Sequence, residues 1–115
     1  MRTLNDYFLT VKLSDVSTAG SAYVVAPDAG KIIKISSVLG GAIATADAEI
    51  TTEINGTAVT GGAITIANTS SAAGDVDSAV PTAANSVQEN DVIEIITDGA
   101  SANTIPVEFT IVIRR

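Results

Sequence analysis

Residues 47–67, DAEITTEINGTAVTGGAITIA, hold two β-rich runs that meet at Asn55-Gly56. That dipeptide supplies the two positive-φ residues that a tight type I′ hairpin turn requires. On the first arm Ile50, Thr52 and Ile54 alternate with Thr51 and Glu53, so one face is apolar and the other polar. The second arm breaks at Gly61-Gly62 and resumes as Ala63-Ile64-Thr65-Ile66, the pattern of a bulge or a corner where a strand changes direction.

The rest of the chain repeats this strand chemistry. Before the hairpin, Tyr7, Leu9, Val11 and Leu13 alternate with Phe8, Thr10 and Lys12, a half-buried strand with one outward apolar residue. The run Asp15–Gly20 is rich in residues that bond their own backbone, and a short strand over 22–26 stops at Pro27. Pro27-Asp28-Ala29-Gly30 places Pro and Gly where a β-turn takes them. In Lys31–Leu39 the spacing points Ile33 and Ile35 to the core, because Lys34 must face water, and leaves Ile32 and Val38 outside. Residues 42–46 carry no 3.6-residue apolar stripe and read as loop or a short irregular strand.

After Ala67, residues 68–90 are a long excursion of small polar residues, with a short strand expected over 75–80. A structureless loop of that length is unusual in a compact fold, so some ordered pairing is expected there. Asp91–Thr97 is a strand with Ile93 and Ile95 opposite Glu94, and Asp98-Gly99 opens a turn. Pro106 starts the last strand, in which Val107, Phe109, Ile111 and Ile113 alternate with Glu108, Thr110 and Val112.

About seven or eight short strands without a helix predict an all-β fold, an antiparallel β-sandwich or jelly roll, with a small β-barrel as the second choice. The length of 115 residues fits one domain over residues 1–115, with residues 1–6 as an extended segment. On this assignment Phe8, Ile32, Val92, Ile96 and Val112 lie on the outer sides of their strands. Strands apolar on both faces are usually covered on both. Loops, or the contacts between subunits of an oligomer, would do the covering.

The net charge is −7, from 13 acidic and 6 basic residues, which repels a phosphate backbone. Four aromatics (Tyr7, Phe8, Tyr23 and Phe109) supply few stacking platforms for bases or sugars, so no nucleic-acid partner is expected. There is no Cys, so disulfides and thiolate metal sites are excluded. The first residues, MRTLNDYFLTVKL, contain only a short apolar run broken by Asn5, Asp6 and Lys12, unlike a secretory signal. No run approaches the ~18 apolar residues of a membrane span, and the sequence reads as a soluble chain without its own export signal.

Catalytic chemistry is scarce. Without His, neither a Ser-His-Asp nor a Cys-His system can be built, and no GxxxxGK[ST] or GxGxxG motif is present to hold phosphates. Lys12, Lys31 and Lys34 sit on faces that read as solvated, unlike a desolvated catalytic lysine. Glu53, Glu94 and Glu108 could face one another across a sheet as a glycosidase pair, but a sugar cleft usually needs aromatic walls. Asp75 and Asp77 lie on one side of an extended segment, where they serve as turn caps and solvated acids or as oxygen donors to a cation. No enzyme activity, cofactor or small-molecule substrate is expected.

The phrases ADAEITTEINGTAVTGGAITIA (46–67), SAAGDVDSAVPTAAN (71–85), DVIEIITDGAS (91–101) and the closing TIVIRR together resemble proteins of the structural modules of tailed bacteriophages. Over about residues 7–115 the chain looks like a capsid decoration, or cement, protein. That resemblance implies a β-sandwich or jelly-roll protein that sits as a homotrimer on the outside of the expanded head. It implies the major capsid protein as partner, manufacture in the host bacterial cytoplasm and capsid stabilisation as the role. Arg2, Asn5, Tyr7, Arg114 and Arg115 are the expected capsid contacts, because the two ends of the sequence hold three of its six basic residues. Phe8, Ile32, Val92, Ile96 and Val112 are the expected oligomer interface. A head-fibre base or tail-associated β-domain is the first alternative, and a glycan-binding module using Tyr7 and Tyr23 the second.

Overall fold

A computed structural model describes residues 5–115, and its described residues form ten strands and no helix. In chain order these are β1 (Asp6–Leu13), β2 (Gly20–Val25), β3 (Gly30–Leu39), β4 (Ala48–Ile54), β5 (Thr57–Ala58), β6 (Ile64–Ile66), β7 (Val76–Ala79), β8 (Ser86–Val87), β9 (Val92–Thr97) and β10 (Val107–Arg114). All ladders are antiparallel. One sheet has the order β1-β10-β3-β7, with β8 also on β3; the other has β2-β9-β4-β5, with β6 also on β4. With β5/β6 and β7/β8 each counted as one interrupted strand, eight strands form two four-stranded layers. This is a jelly-roll sandwich. Among the described residues no ladder joins the layers into a barrel, although isolated bridges at Ala44↔Ala102 and Thr60↔Ala83 tie loops across.

The pairing follows one rule. First-half strands meet second-half strands in reverse order, and partners lie almost equidistant from Asn55-Gly56: Ile54↔Thr57, Ala48↔Ile66, Val38↔Val76, Gly20↔Thr97 and Asp6↔Arg114. The chain is a single long hairpin, rolled so that β10 also meets β3 and β9 also meets β4. The turn has the geometry the dipeptide promises, with φ 49° at Asn55 and 85° at Gly56. Asn55 also fastens it to β9: its backbone N–H donates to the Val92 carbonyl, and its side-chain carbonyl accepts from the Val92 N–H.

The broken second arm is a detour. From Val59, whose N–H still donates to the Thr52 carbonyl, five residues lead to Ile64, while β4 advances only from Thr52 to Ile50. The Thr52 hydroxyl, buried on the core face, donates to the Gly62 carbonyl at 3.1 Å. This explains a polar residue at an inward position: it satisfies a carbonyl that the detour removes from the ladder. The excursion over 68–90 contains the mirror-image arm, β7 and β8, both on β3.

Alternation supplies the core. Val11, Leu13, Ile35, Leu39, Ile50, Ile54, Ile93, Ile95, Val107, Phe109, Ile111 and Ile113 point inward from both layers and are buried. The assignment fails at one place. Between Lys34 and Ile32 on β3 the register against Val112 and Ile113 skips Ile33, a β-bulge. The extra residue resets the alternation, so Ile32 is fully buried in the core and Ile33 is only partly buried. The expected outward Ile32 and inward Ile33 are thus exchanged.

Two expectations follow. Gly56 has open space around its Cα, so Gly56→Ala tests backbone conformation alone; urea unfolding should show a loss of about 1–2 kcal/mol from placing a side chain at positive φ. Ile32→Ala should cost about 2–5 kcal/mol as a cavity mutation, and Ile33→Ala under about 1 kcal/mol. Equal costs at the two isoleucines would contradict the bulge.

Candidate functional site

Because β1 and β10 pair along their whole length, the two ends of the sequence meet at one corner of the sandwich. Arg114 forks onto Asp6, with Nε to Oδ1 at 2.8 Å and Nη2 to Oδ2 at 3.0 Å. The Asp6 side chain is fully covered and that of Arg114 is 42% exposed. The hydrogen bonds to Asp6 push the guanidinium's pKa further up.

Tyr7 faces the core from β1, and its hydroxyl donates to the Asp28 carbonyl in the β2–β3 turn. Arg115 stacks over that ring, 5.5 Å from its centroid, and reaches the Asp28 carboxylate with Nη1 at 3.3 Å. The Arg115 N–H donates to the Asn5 carbonyl. Gly30 lets this turn close down: a Cβ there would lie 2.6 Å from Ile113 Cγ2 and 2.8 Å from the Arg114 carbonyl oxygen. Burial, and then the Asp28 carboxylate, push the Tyr7 pKa up, while the charge of Arg115 works the other way.

Beside these contacts a groove of about 560 Å³ opens between the β2–β3 turn, the start of β3, β8 and the end of β10. Ile33 and Val87 line it, with Lys31, Arg114 and Arg115 against the single acid Asp28. Gln88 forms part of the wall, and its N–H donates to Asp91 Oδ2, while Asp91 Oδ1 accepts from the Asn55 side-chain amide. Those two bonds, the Gln88 N–H foremost, hold the Asp91 carboxyl below the usual carboxylate range. The central turn and the groove wall are therefore linked through one carboxylate.

Of the expected contact residues, Asn5, Tyr7, Arg114 and Arg115 come together at this corner; Arg2 lies outside the described residues. Sequence reasoning missed Asp28, Lys31 and Ile33, which join the corner only through the strand order and the bulge. The five residues assigned to an oligomer interface do not share a surface. Ile32 is in the core. Phe8 and Val112 are register partners on the outside of one layer, where Phe8 is 55% exposed and Val112 only 6%. The register neighbours of Val112 there are Phe8 on β1 and Lys34 on β3. Val92 and Ile96 lie on the outside of the opposite layer.

Of the three glutamates expected to face one another, Glu53 and Glu94 do, as register partners on the outer face of the β2–β9–β4 layer, where Glu94 accepts from the Ser21 hydroxyl; Glu108 lies apart, on the other layer opposite Lys12. Asp75 accepts from the Ala72 N–H as a turn cap, and among the described residues no group of three acidic side chains gathers to hold a metal. Tyr7 is tied into the corner, whereas Tyr23 is 64% exposed on the opposite layer, so the two tyrosines frame no common site.

No family model matches the chain, and no curated protein matches it. Among solved structures it is similar to a chain of the acidic stable capsid structure of Helicobacter pylori bacteriophage KHP30, with a TM-score of 0.58. The likeness covers 96% of this chain and 87% of that one at 14% identity. At that identity the likeness is one of fold.

The corner makes a spectroscopic prediction. In a Tyr23→Phe variant, ultraviolet titration should show one phenol ionising above the free value of about 10. A group whose folded pKa is raised contributes stability that is complete below its unfolded pKa and lost as pH rises through the folded value. The thermal midpoint of this variant should therefore fall above about pH 10, and less so when Tyr7→Phe is added.

Proposed function

We propose that this chain is a structural protein of a tailed-phage virion, a decoration protein that binds the outside of the expanded head and clamps neighbouring major capsid subunits. The observation that carries this reading is the fold likeness to a chain of a phage capsid structure over 96% of its length. The sequence resemblance to phage structural-module proteins supports it independently. The chemistry is consistent: surface contact is what such a protein needs, and the described side chains offer paired charges and apolar faces for it.

The mechanism is differential binding. A protein that binds the mature lattice better than the immature one shifts the equilibrium toward it; at 100 times the dissociation constant the gain is about 2.7 kcal/mol per site. A homotrimer multiplies weak single contacts when its geometry lets every arm engage. In this reading Asn5, Tyr7, Arg114 and Arg115, with Arg2 ahead of them, contact the shell. Subunit contact falls to the outward apolar residues Phe8, Val92 and Ile96, with little from the covered Val112.

Quantitative mass spectrometry of purified particles tests the role by counting this chain against the major capsid protein. Decoration predicts a ratio on the order of one copy per one to three capsid subunits, as a repeating multivalent contact requires. A few copies per particle would move the chain to a fibre base or the tail. Absence from particles would end the structural reading.

A further inference from the structure

The groove beside the bulge has a chemistry of its own. On a chain of net charge −7, its lining brings three cations together with one acid. Arg114 and Arg115 are each paired with a carboxylate yet keep side chains 42% and 50% exposed, and Lys31 makes no ion pair among the described residues. Lys34, also without an ion pair among those residues, follows Ile33 at the bulge. Bulges re-aim side chains, and this one turns an isoleucine that strict alternation would bury toward the groove. The result is an apolar floor under a positive rim.

The β8 edge adds a backbone component. The Ile32 N–H donates to the Asn85 carbonyl, so bonding to β3 alternates along this ladder and leaves the Ser86 N–H and carbonyl directed away from β3. The side chains at this edge, the small Ser86 and the uncharged Gln88, both line the groove.

We infer that this groove is a docking site for an extended acidic segment of a partner protein, with an apolar side chain seated on Ile33 and carboxylates facing Lys31, Arg114 and Arg115. Charge complementarity selects the occupant: a basic segment would be repelled, and a purely apolar one would leave the rim unused. The partner's identity as a capsid subunit rests on the function proposed above; the groove's chemistry does not.

The test uses the full chain and an eight-residue peptide of alternating Glu and Leu. Methyl and amide NMR shifts should move at Ile33, Val87, Lys31 and Arg114, with affinity falling as salt is raised. Lys31→Glu and Ile33→Ser should each weaken binding at least about fivefold, while Lys12→Glu, at the far end of the same layer, leaves it unchanged. Unaltered urea midpoints would show that the variants are folded. Absence of binding, shifts outside the groove, or equal affinity for an alternating Lys-Leu peptide would overturn the inference. Heads lacking the chain separate the two proposals. A wild-type chain that binds the peptide but not the heads supports the groove and contradicts decoration. Heads that take up wild type and both groove variants equally well support decoration and overturn the groove's assignment to the capsid.

Discussion

Both halves of this chain find their partners by reference to the positive-φ pair Asn55-Gly56. A two-residue type I′ turn fixes the register of the strands that leave it, and a slip of one residue would move every inward isoleucine of β4 to the solvent face. With that register set, the detour at residues 60–63 and the gap between β7 and β8 are absorbed without losing the mirror order. The most remote pairing, β1 with β10, closes last in sequence terms. Such non-local pairing is slow, since loop closure precedes the contacts that reward it.

That order has a consequence for the surface. The corner of Asn5, Asp6, Tyr7, Asp28, Arg114 and Arg115 has no local precursor: it needs the two ends of the sequence and a turn from its first third. It exists only when the roll is complete. Asp91 joins the same end of the sandwich to the founding turn, accepting from Asn55 on one oxygen and from Gln88 on the other. The groove is thus braced by the hairpin's first turn as well as by its final ladder.

How much was legible follows from which interactions are local. Alternation in β1, β4, β9 and β10 and the Asn-Gly turn depend on neighbours in sequence, and they read correctly. Ile32 and Ile33 did not, because the bulge is a property of β3 against β10 and leaves no mark in KIIKISS itself. Val112 reads as outward and is outward, yet it is nearly covered in its place between Phe8 and Lys34, which its own strand does not reveal. The basic residues near the ends were visible as candidates; Asp28, Lys31 and Ile33 were not, because only strand order brings them alongside.

A jelly roll leaves two outer faces and two loop ends for contact, and the chemistry here is unevenly spread among them. One end carries the cationic groove and the corner; the other carries the turns over 14–19 and 40–47. The most direct measurement is a cryo-EM reconstruction of heads bearing the chain, resolving which end is seated on the shell. The account predicts that Ile33, Lys31, Arg114 and Arg115 face the capsid subunits. A reconstruction with that corner pointing to solvent and the opposite loops on the shell would contradict it.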